Sequence, residues 1–174
     1  RGLFDVDPDV ASAGRAAARA LRRLPRFQAA LPALRRELVA TEPERRALAA
    51  RALGMLRDRA SIEGLIGLTG SDDALAAQAA AEALIEITRA SFGTSTHAWM
   101  AWWAENRSRR RAQWLLAGLR NPEPWLRAAA AEELSRALGG TLGYAADAPE
   151  PERAAAVDRW EDALLDPRLR TVDA

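Results

Sequence analysis

A short Ala-rich phrase closed by leucine occurs four times along this chain. It reads Ala17-Ala18-Arg19-Ala20-Leu21, Ala49-Ala50-Arg51-Ala52-Leu53, Ala80-Ala81-Glu82-Ala83-Leu84 and Ala130-Ala131-Glu132-Glu133-Leu134. The leucines are spaced by 32, 31 and 50 residues, so two regular steps are followed by one carrying an insertion of about 19 residues. Recurrence at such a period means one supersecondary unit used repeatedly. Small side chains at helical spacing let one helix lie close against the next. Each unit leaves an apolar face that only a neighbour can cover.

Each phrase follows a helix-start signal at nearly the same distance. Asp7-Pro8, Thr41-Glu42-Pro43-Glu44, Ser71-Asp72-Asp73 and Asn121-Pro122-Glu123 each offer a side-chain oxygen to free backbone N–H groups, with Pro or an acidic residue in the first turn. Thr41 and Glu44 have capping-box spacing. A second apolar run comes after the phrase. Phe27, Leu31, Leu34 and Leu38 mark one helical stripe, which Pro32 is expected to kink or delay. Ile62, Leu65, Ile66 and Leu68 mark a shorter stripe, ended by Gly67 and Gly70. Gly139-Gly140 and Gly143 read as a helix stop. The unit is helix, turn, helix.

These Ala-rich first helices opened by Asp-Pro or Asn-Pro, with a period near 31, resemble bacterial HEAT repeats from about Asp5 to Asp166. The second half is similar to one branch of bacterial HEAT-repeat proteins. In that branch a repeat continues into a Phe-Gly or Leu-Gly-Tyr turn and a Trp-bearing helix ending in Trp-Trp. Here Phe92-Gly93 precedes Trp99, Trp102 and Trp103, and Leu142-Gly143-Tyr144 precedes Arg153, Val157 and Trp160. Ala163 and Leu164 stand where the second tryptophan pair would be. The resemblance implies an all-α fold, a right-handed alpha-solenoid (alpha-alpha superhelix) of about four helical hairpins. The units would span about 5–38, 41–70, 71–106 with the Trp-rich insertion, and 108–166, in a single domain over 1–174 with a tail at 167–174. It implies scaffolding and carries over no catalytic residues.

Composition agrees with helices and narrows the chemistry. Hydrophobic residues make up 49% of the chain and aromatics only 6%, with Ala the commonest, which suits close-packed helices better than strands. All 25 cationic side chains are Arg, an excess that reads first as codon bias in a GC-rich bacterial genome. Against 24 acidic residues they leave a net charge of +1, which argues against a polyanion partner for the molecule as a whole. With no Cys there is no disulfide framework, thiolate nucleophile or Cys-type zinc site. No apolar stretch approaches the roughly 20 residues of a membrane span. The opening Arg1 suggests a trimmed, processed or excised segment, one that could belong to a longer chain or assembly. Cytoplasm and periplasm are both permitted, with cytoplasm favoured.

The segment 94–114 is the most unusual, holding Trp99, Trp102, Trp103 and Trp114 of the six tryptophans. The first three cover one side of a helix expected to start near Ser95 or Thr96. They would fill the gap left by the insertion or anchor a partner. Arg107-Ser108-Arg109-Arg110-Arg111 then leads into Trp114-Leu115-Leu116 and Leu119, read as a helix with a basic first turn. Cations there oppose the helix dipole, so these arginines pair with Glu105 or other acids, or face something anionic. Trp125 and Arg127, on the fourth Ala-rich helix, complete the candidate patch.

Catalytic signals are weak. His97 is the only histidine, and a surface or capping place suits it better than a ligand role. Asp72-Asp73 and Glu132-Glu133 are explained by capping or solvation rather than acid–base work. No Gly-rich phosphate loop is present. The expected function is a non-catalytic scaffold or adaptor for another protein or peptide, with no cofactor or metal. The alternatives are a nucleic-acid-binding protein like the HEAT-like DNA glycosylases, with Glu105 and Asp73 as loose acid candidates, and a HEAT-like phycobilin lyase.

Overall fold

Proline and aspartate set where the helices begin. In the computed structural model, which describes Ala17 and residues 24–163, the described residues form helices and turns only. The helices are α1 (Pro25–Glu37), α2 (Pro43–Met55), α3 (Ile62–Thr69, after a 3-10 turn at Arg59–Ser61), α4 (Ala74–Thr88), α5 (Thr96–Asn106), α6 (Arg111–Leu119), α7 (Pro124–Leu138) and α8 (Glu150–Ala163). Asp7-Pro8 and the first phrase beyond Ala17 lie outside the described residues, as do Leu164, Asp166 and the tail at 167–174.

Pro opens α1, α2 and α7, where its missing N–H leaves no bond unmade. Asp73 caps α4, its Oδ1 accepting the Ala76 N–H at 2.8 Å. Two expected caps differ. Because Pro43 and Pro124 hold the first helical positions, Glu42 and Glu123 before them are extended and become the N-caps, without a side-chain cap bond. Thr41 therefore lies one residue too early for a capping box with Glu44, and Asn121 Oδ1 instead accepts the Glu123 N–H at 2.9 Å within the loop. α1 runs through Pro32 without interruption, so the expected delay does not occur. Gly139 ends α7 in the left-handed conformation at φ 77°, its N–H and that of Gly140 both donating to the Ser135 carbonyl.

The described residues divide into two compact units. The first runs to Ile87 and includes Ser91–Ala101; the second comprises Thr88–Ala90 and the chain from Trp102 onward. In the first, α1 packs on α2. Arg35 holds the buried Asp58 through Nε and Nη2 at 2.7 and 2.6 Å, a bond that raises the guanidinium above its ordinary range. Equivalent positions of successive phrases meet between α2 and α4. Arg51 and Glu82, each third in its phrase, pair at 3.9 Å. Gly54, just past its phrase, lies against Ala83. The core here includes Leu53, Ile62, Leu65, Leu84 and Ile87, all within 1% of full burial, and each such side chain contributes roughly 1.5–3 kcal/mol.

In the second unit α6 packs on α7 and α8. Its core gathers Leu115, Leu119, Ala130, Leu134, Tyr144, Val157 and Trp160. Gly118 allows the approach of α6 to α7, since a Cβ there would stand 3.0 Å from that of Ala130.

The fourth residue of three helices does the same job. Arg46 in α2 donates through Nη1 to the Ala40 and Thr41 carbonyls, both at 2.8 Å. Arg127 in α7 donates through Nη1 to the Asn121 and Pro122 carbonyls at 2.9 and 2.7 Å. Arg153 in α8 donates to the Ala148 carbonyl at 2.6 Å. Each ties its helix to the loop that leads into it, satisfying carbonyls that belong to no helix ladder.

Candidate interaction surface

The four clustered tryptophans separate by burial. Trp99 is 0% exposed, in the first unit, with its Nε1 donating to the Gly93 carbonyl at 2.8 Å and Phe92 edge-on at 4.9 Å. Gly93 takes φ 53° at that turn, a conformation glycine allows without strain. Trp114, at the start of α6, is also buried and gives its Nε1 to the Asn106 carbonyl at 3.0 Å. Above it, Trp102 and Trp103 are half-buried and stacked, with centroids 6.3 Å apart and planes at 25°. The Trp114 ring meets them at 5.4 and 6.0 Å.

This arrangement clasps the end of α5 to the start of α6. Asn106, itself buried, donates Nδ2 to the Trp102 carbonyl at 2.8 Å. The intervening turn is bound at both ends. Arg107 N–H donates to the Trp103 carbonyl at 2.9 Å, Arg109 N–H to that of Asn106 at 3.0 Å, and Arg110 N–H to Gln113 Oε1 at 2.9 Å. The basic run is thus a turn rather than a helical first turn, with α6 beginning only at Arg111. Arg107, Ser108, Arg109 and Arg110 are exposed.

Arg111 behaves differently. Its Nε and Nη2 donate to Glu133 Oε1 at 2.9 and 2.8 Å, while Arg89 Nε stands 3.4 Å from Glu133 Oε2. The side chains of all three are 12% exposed or less. Glu133, expected to be a capping or solvated carboxylate, is instead a buried acid shared by two guanidinium groups. No local periodicity signals this, because the partners lie 22 and 44 residues away in sequence. Its neighbour Glu132 is exposed and pairs with Arg136 one turn on, at 2.6 Å.

The remaining candidates scatter. Arg127 is buried, bound to the two loop carbonyls and, through Nε, to that of Ala146 at 2.8 Å. Trp125, two residues before it, is 53% exposed. Within the second unit the structure brings together Trp102, Trp103 and Trp114 with the turn bearing Arg107, Arg109 and Arg110. Trp99, Trp114, Arg111 and Arg127 are engaged in packing and internal bonds and offer little surface. His97, Asp72 and Glu105 are exposed, and Asp73 is the cap of α4. Among the described residues no group of three or more His, Asp or Glu side chains could hold a metal ion, and no helix is long and apolar enough to cross a membrane. No family model matches the chain, and neither a curated protein nor a solved structure matches it.

Proposed function

We propose that this chain is a non-catalytic scaffold or adaptor for another protein, built from HEAT-like helical repeats. The observation that carries the binding reading is the turn between α5 and α6, where three exposed arginines stand beside the half-buried pair Trp102 and Trp103. Trp and Arg are the side chains that dominate protein contacts, because they combine large apolar area with directional bonding. The repeat reading is supported by the contact of α2 with α4, where Arg51 and Glu82, at the same place in successive phrases, pair. It is supported again by the arginine at the fourth residue of α2, α7 and α8.

The test is a pull-down from a bacterial lysate with the intact chain and with an Arg109→Glu, Arg110→Glu variant, with and without nuclease. A protein partner that survives nuclease and is lost in the variant is the expected result. Recovery of nucleic acid alone, released by salt, would overturn the reading.

A further inference from the structure

We draw no further inference here: the strongest candidate, the outward face of α7 at its start, where Trp125 is 53% exposed and the exposed Ala128 follows one turn on, is an unpartnered apolar face, and nothing in the structure shows what covers it.

Discussion

Gly54 of α2 lies so close to Ala83 of α4 that a Cβ on the glycine would stand 2.7 Å from the Ala83 Cα and 2.8 Å from its Cβ. The neighbour is backbone, which cannot swing aside. Gly54→Ala should therefore force the helices apart and cost about 1–3 kcal/mol despite its better helix propensity. Gly67 in α3 has open space where a Cβ would go, so Gly67→Ala should stabilise by about 0.5–1 kcal/mol. Urea unfolding of the two variants checks both, and a stable Gly54→Ala protein would deny the close approach.

Glu133 pairs with the buried Arg89 and the largely covered Arg111, so Glu133→Gln should destabilise by about 3–5 kcal/mol, because both arginines would keep their charge without the carboxylate. Glu132→Gln, one residue earlier and exposed, should change stability by less than about 1 kcal/mol. Thermal unfolding of the pair compares them directly. Equal effects would mean that the Glu133 network is not what holds α6, α7 and the segment at Arg89 together.

Arg127→Met keeps much of the side-chain volume and removes the donors to Asn121, Pro122 and Ala146. A loss of about 1–3 kcal/mol is expected from the abandoned carbonyls. Amide hydrogen exchange should show faster exchange in the first turn of α7, and unchanged protection there would contradict the clamp.

Tyr144 is the only tyrosine, so its ionisation can be followed by absorbance without interference from another phenol. Burial raises its pKa above the ordinary 10.0, with nearby Arg127 and Arg153 working in the opposite direction. Its hydroxyl donates to the Leu119 carbonyl. The unfolded chain then loses this proton at lower pH than the folded one. The stability that the phenol contributes is whole below about pH 10 and falls as pH rises through the raised folded value. An alkaline titration of the folded protein should place the midpoint above that of the chain in urea; coincident midpoints would show that the phenol is not buried.

Helix starts, the Ala-rich faces and the stop at Gly139 were legible from sequence because each depends on a few neighbouring residues. Even there, Pro43 and Pro124 moved two caps by a residue or two, since proline dictates the conformation of whatever precedes it. The patch was half legible. Clustered Trp and Arg are visible in any reading, but which of them face solvent depends on what the next helix covers. Trp99 and Trp114 are buried while Trp102 and Trp103 stay half-exposed, though all four belong to one short stretch.

By itself the sequence determined that this chain forms Ala-rich helices with proline and aspartate starts, because propensity, capping and periodicity act within a turn or two. Only the tertiary structure decided that Glu133 is buried against Arg89 and Arg111, that Arg127 donates to loop carbonyls, and that Gly54 meets Ala83. Those outcomes depend on which side chains from distant segments share a space, and burial, ion pairing and close packing are properties of that shared space.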